Sequence, residues 1–145
     1  MTLDELLARE AIRHTLASYN IAGDRGRLDD LASQFTQDAI LELPDGSIHN
    51  GRDAIKACIS GVGSSPRQLS RPAFKFVRHH ISTCQIEFPE ATIATVRTYF
   101  AVFTDIGPDH CGYYADSFRK EGDRWLIAHR KARLDWSSPG SLMGS

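Results

Sequence analysis

Apolar residues recur at intervals of three and four over the first twenty positions. Leu3, Leu6, Leu7 and Ala11 open a face that Ile12, Leu16 and Tyr19 continue, the spacing of an amphipathic helix. Thr2 and Glu5 stand at capping-box spacing, so hydroxyl and carboxylate can satisfy free N–H groups at its start. The spacing predicts a helix over 3–22, ended by Gly23, and a short second helix over 28–35 after the break at Gly26. The period then falls to two. Residues 39–43 read as a strand, Pro44-Asp45-Gly46 as a turn, and the chain returns as a short strand near Ile48. A third helical stretch is predicted over 52–60. The Gly-, Ser- and Pro-bearing segment 61–72 follows as a loop able to act as a pocket lid.

Strands fill the second half. Residues 78–88 run to the Pro89-Glu90 turn, and 92–104 are rich in β-branched and aromatic side chains. Gly107-Pro108-Asp109 interrupts. Residues 111–120 and 124–134 are joined by Glu121-Gly122-Asp123, a hairpin signal. Helices first and a long meander after them predict an α+β fold, with helices packed on one face of an antiparallel sheet. Strands this long must coil, so the sheet is expected to form a cone with the N-terminal helices on its concave face. Residues 1–136 make one domain, and the small, polar 137–145 a loose tail.

Composition narrows the function. In 145 residues, 17 basic and 18 acidic side chains leave a formal charge of −1, giving no electrostatic support for a nucleic-acid or anionic-membrane partner. No apolar run approaches the roughly 20 residues that span a bilayer. Cys58, Cys84 and Cys111 are odd in number and form no CxxC pair or metal pattern, which points to reduced thiols and a cytoplasmic location. No phosphate-binding or nucleophile-elbow glycine motif is present.

Four residues invite chemistry. Asp24 lies past the first helix, either a solvated loop carboxylate beside Arg25 or a group at a pocket mouth. His79 and His80 are adjacent on a strand and point to opposite faces, so one of them faces the cone. A histidine there beside a carboxylate is a general base at neutral pH; the alternative is a core histidine bonded to backbone. Two adjacent strand histidines cannot share a metal, and no metal site is expected. Arg130 shares parity with Leu126, Ala128, Ala132 and Leu134, an apolar face. There it must face a cavity, sit exposed at a strand end, or pair with Glu42 or Asp116, because a lone buried charge is too costly. His14, His49, His110 and His129 read as structural.

Three stretches carry a resemblance: Ala11-Ile12-Arg13 through Asp24, Arg78-His79-His80-Ile81-Ser82, and Tyr114-Ala115-Asp116-Ser117-Phe118 through Trp125 to Arg130. In these and in its order of elements the chain resembles the SnoaL-like branch of the nuclear transport factor 2-like superfamily. The site positions are similar to those of its hexachlorocyclohexane dehydrochlorinases and bile-acid 7α-dehydratases. That resemblance implies a His–Asp dyad at His79 and Asp24, with Tyr19 and Arg130 as further site residues. It implies a cofactor-independent lyase, of dehydratase type, acting on a hydrophobic cyclic or polyketide-like molecule; a binding or assembly module and an isomerase are the alternatives on the same fold. Tyr19 stands where the dehydrochlorinases have a lysine, and Val102 near where the bile-acid enzymes use an acid. Leu43 replaces the base of ketosteroid isomerases, and Arg97-Thr98-Tyr99 lacks the aspartate of limonene-epoxide hydrolases. A homodimer or homotrimer through the outer sheet face is expected.

Overall fold

A computed structural model describes residues 1–61 and 75–143. Three helices and six strands follow in the order α1 (Leu3–Asp24), α2 (Leu28–Ala32), β1 (Phe35–Glu42), β2 (Ile48–Asn50), α3 (Arg52–Ile59), β3 (Val77–Glu90), β4 (Ile93–Thr104), β5 (Gly107–Glu121) and β6 (Arg124–Ser137). The strands form one curved, unclosed sheet in the order β2-β1-β6-β5-β4-β3. The expected α+β architecture is the observed one. The expected lid, apart from Gly61, lies outside the described residues.

One pairing departs from an antiparallel sheet: β1 runs parallel to β6, with Leu41 opposite Arg130. Local turn chemistry sets direction only within hairpins, and more than half of the sequence separates these two strands. β1 also starts at Phe35 rather than at Ala39, and α2 stops at Ala32. Phe35 is drawn out of the helix by pairing with Ile127 of β6, where it is fully buried.

The sheet face toward α1 holds the core. Along β4, Ala94, Val96, Thr98, Phe100, Val102 and Thr104 are buried while Thr95, Arg97, Tyr99 and Phe103 are exposed, the two-residue alternation of a sheet covered on one side. α1 lies across that face with Ile12 and Leu16 buried. Two bonds pin it: the Thr15 hydroxyl donates to the Trp125 carbonyl at 2.6 Å, and the Arg9 guanidinium to the Ile86 carbonyl at 2.9 Å. Thr2 caps the helix by accepting the Glu5 N–H. Leu3, Leu6 and Leu7 are exposed, so the buried stripe starts about one turn later than the periodicity alone suggests.

Bulges bend the long strands, between Ile81 and Cys84, Val102 and Phe103, Cys111 and Gly112, and Ser117 and Phe118. At Gly112 the neighbouring strand comes so close that a Cβ would lie 1.9 Å from the Arg133 carbonyl oxygen. Only glycine fits there.

β5 starts at Gly107, earlier than the expected Cys111; Pro108 lies beyond the last β6 partner, His110 with Ser137, where a missing N–H breaks no bond to β6. Residues 138–142, expected to be loose, are tied to Asp109. Its backbone carbonyl accepts the Ser138 N–H at 2.8 Å, and its carboxylate accepts the Ser141 hydroxyl at 2.5 Å and the Leu142 N–H at 2.8 Å.

Candidate active site

α1 delivers Asp24. Along its inward side Ile12, Leu16 and Asn20 recur every four residues, and Asp24 is the next in that row. It occupies the last helical position rather than the loop beyond it. A carboxylate there opposes the helix dipole, and no basic residue occupies the last turn to offset it. The compensation comes from β3. Asp24 Oδ1 accepts a hydrogen bond from His79 Nδ1–H at 2.6 Å, and Oδ2 accepts the His79 backbone N–H at 2.9 Å.

That second bond is possible because β3 is a sheet edge, where alternate N–H groups have no neighbouring strand. One carboxylate thus holds both the backbone and the ring of the same residue. A carboxylate only accepts, so Nδ1 carries the hydrogen and Nε2 of the neutral ring presents its lone pair. No described residue bonds to Nε2. The Asp24 side chain is 7% exposed and that of His79 21%, so the imidazole is reachable while the carboxylate is shielded.

His79 pairs with Val102, on the buried parity of β4. His80 faces the other way, exposed, with its ring edge-on to Phe103 at 4.9 Å.

An aromatic frame extends inward from His79. Its ring centroid is 6.5 Å from that of Phe100, Phe100 stacks on Tyr114 at 4.6 Å, and Tyr114 meets Tyr19 edge-on at 6.2 Å. Arg130 is fully buried, with its guanidinium carbon 3.8 Å from the Tyr114 centroid and 4.3 Å from that of Tyr19. Asp116, directly opposite on β5, receives Nε–H at 2.9 Å and Nη2–H at 2.8 Å. Of the partners weighed for Arg130, Asp116 is the one it takes; Glu42 accepts from His129 at 2.5 Å instead.

Burial works against the guanidinium's charge, but the attraction of Asp116 and the hydrogen bonds that Arg130 donates to it hold its pKa above the ordinary value. Burial raises the Asp116 carboxyl, with Arg130 opposing the shift. The bidentate geometry is that of a charged pair. Tyr114 is pushed up by burial as well and stays a neutral phenol. Arg130 Nη1 is buried and has no hydrogen-bond partner among the described residues, and none of them bonds to the Tyr19 hydroxyl.

Of the expected residues, Asp24 bonds to His79 and Tyr19 packs on Arg130, and the rings of Phe100 and Tyr114 connect the two pairs. Sequence reading missed Phe100 and Tyr114, and it left the choice between Glu42 and Asp116 for Arg130 open. The signal for the first two was available: the even positions of β4 and β5 share the parity of the core. An open cleft of about 730 Å³ lies elsewhere, between the start of α1 and the β3–β4 turn, lined by Leu7, Phe88 and Trp125 among others. Its titratable groups form no base–carboxylate pair, so the chemistry points to the His79 end. Among the described residues no cluster of three or more His, Cys, Asp or Glu is placed to hold a metal ion. No described helix is long and apolar enough to cross a membrane.

Residues 4–131 match the model of the SnoaL-like domain. The chain belongs to that family. This SnoaL-like chain also superimposes on solved structures along nearly its whole length. A provisionally assigned scytalone dehydratase from Novosphingobium aromaticivorans is 23% identical, with a TM-score of 0.81 over 100% of this chain and 99% of that one. The hexachlorocyclohexane dehydrochlorinase LinA-type3 from Novosphingobium barchaimii is 17% identical, with a TM-score of 0.77 over 99% and 98%. A provisionally assigned aromatic ring hydroxylase from Novosphingobium aromaticivorans is 19% identical, with a TM-score of 0.70 over 89% and 90%. At such identities the likeness concerns the fold, which hosts several chemistries. Among curated proteins, no sequence matches this SnoaL-like chain significantly.

Proposed function

We propose that this SnoaL-like protein is a cofactor-independent lyase that eliminates water, or a comparable leaving group, from a hydrophobic cyclic molecule. One observation carries the reading: Asp24 binds His79 at both Nδ1 and the backbone N–H while Nε2 has no partner among the described residues. A neutral imidazole held in that tautomer is a general base aimed by its support.

In the elimination, Nε2 takes a proton from carbon and the C–H electron pair becomes the new double bond. The bond to the departing oxygen breaks with its electron pair on oxygen, the Tyr19 hydroxyl protonates that oxygen so that it leaves as water, and the proton gained by His79 returns through solvent to the Tyr19 oxygen. Asp24 stabilises the imidazolium formed on His79, as the carboxylate of a catalytic triad does. Arg130 is matched in charge by Asp116, so its part is to hold the Tyr19 and Tyr114 rings and to offer one remaining donor, Nη1. The frame of Phe100, Tyr114 and Tyr19 suits an apolar ring, and fold relatives that include a dehydrochlorinase and a provisional dehydratase support the reaction class.

The test is incubation with a panel of hydroxylated and halogenated ring compounds, with products read by mass. Loss of water or hydrogen halide is the expected result. Unchanged mass with a displaced double bond makes the protein an isomerase, and tight binding without turnover makes it a binding module.

A further inference from the structure

The mechanism leaves one conspicuous buried acid unused. Asp109 is completely buried near the start of β5, and its carboxylate accepts four hydrogen bonds. Two come from the sheet: the Thr104 hydroxyl at 3.0 Å and His110 Nδ1 at 2.7 Å. The other two come from the end of the chain, Ser141 Oγ and the Leu142 N–H. Burial alone would raise this carboxyl, yet the four donors outweigh it and hold it down at about 2, so it stays charged. A charged acceptor with both oxygens occupied is a fixed point. It sets where the chain goes after β6 ends.

The segment goes toward the His79 end. Met143, one residue beyond the clamp, packs on the cluster formed by Phe100, Val102, Tyr114 and Ala132. Tyr19 and Val77 border the same cluster. Phe100 is the ring beside His79, and Val102 is the cross-strand partner of His79. Methionine, flexible and polarizable, is suited to fill an irregular apolar space and to yield it to a ring.

We propose that residues 138–143 form a strap that roofs the His79 end, with Asp109 as its positioning residue and Met143 as a specificity-determining residue against which the substrate packs. This rests on the reading of His79 as the reactive group, but the cover itself can be tested without turnover.

The probe is diethyl pyrocarbonate, which carbethoxylates unprotonated imidazole nitrogen. Rates at His79 and His80 are compared by mass spectrometry in the full chain, His80 serving as the exposed reference on the other face. In Met143→Ala, and separately in Asp109→Asn, His79 should react roughly tenfold faster relative to His80, the scale of losing a charge-assisted hydrogen bond or its equivalent in local opening. Hydrogen exchange at the Leu142 amide should accelerate in Asp109→Asn while amides in the middle of β5 and β6 stay protected, which separates strap release from unfolding. If Asp109→Asn unfolds the sheet, Met143→Ala decides the matter alone. An unchanged His79 to His80 ratio in a folded Met143→Ala protein overturns the proposal. So does slow Leu142 exchange in folded Asp109→Asn. A changed ratio in a protein that eliminates nothing from the ring-compound panel keeps the strap and discards the lyase.

Discussion

In the proposed elimination Asp24 and His79 act as a unit, so their substitutions should behave as one. Asp24→Asn keeps the shape but lets the amide select the other imidazole tautomer, so turnover should fall by roughly 10²–10⁴-fold. His79→Ala should lose about as much, and the double variant little more. His80→Ala is the control; steady-state rates showing its activity abolished while His79→Ala stays active would reverse the assignment. Arg130 and Asp116 raise a separate question, that of stability. Removing either one leaves a buried charge without its partner, so Arg130→Met or Asp116→Leu alone should destabilise the fold by about 3–5 kcal/mol. The double variant should recover much of that, which denaturant midpoints would show. At this scale the opposite facing of His79 and His80 was legible in the sequence, whereas the choice of His79 came from the resemblance and the choice between Glu42 and Asp116 for Arg130 stayed open. Counting back from the Gly122 turn puts Asp116 opposite His129. The bulge between Ser117 and Phe118 shifts the register by one and brings Arg130 there.

The elements owe their shape to such bulges, and the one at Gly112 is the most demanding. With 1.9 Å between a would-be Cβ and the Arg133 carbonyl oxygen, Gly112→Ala must push β6 away from β5 beside Tyr114. A loss of at least about 1–3 kcal/mol is expected, measurable as a lower denaturation midpoint; a wild-type midpoint would mean that the strands separate freely. Periodicity and turn residues predicted which elements exist. They could not predict where β1 and β5 begin, because both starts are set by partners distant in sequence: Ile127 draws out Phe35, and β5 continues past Cys111 along β4, where Phe103 pairs with Pro108 and Thr104 with Gly107. The tail looked loose for the same reason. Its small, polar residues show no pattern of their own, and the buried carboxylate that holds them sits in what reads as a Gly-Pro-Asp turn.

For the whole molecule, the sheet face away from α1 is unfinished. Tyr99 and Trp136 are about half exposed there, at 50% and 48%, beside a ring pair in which the Arg97 guanidinium lies 5.0 Å from the Tyr113 centroid. We expect this face to join copies into a dimer or trimer. Light scattering at micromolar concentration should give two or three times the chain mass, and Tyr99→Asp should lower it; a monomeric wild type would end that expectation. The parallel bond between β1 and β6 has a different consequence, one of timing. On a ribosome the chain leaves N-terminus first, so α1 and β1 are made long before the strand they dock on. The meander of β3 to β6 can close through neighbours as each hairpin appears, whereas β1 must wait until β6 has been synthesised. Until then Phe35 lacks its β6 partner Ile127, and a nascent chain stalled before β6 would be a natural client for a chaperone.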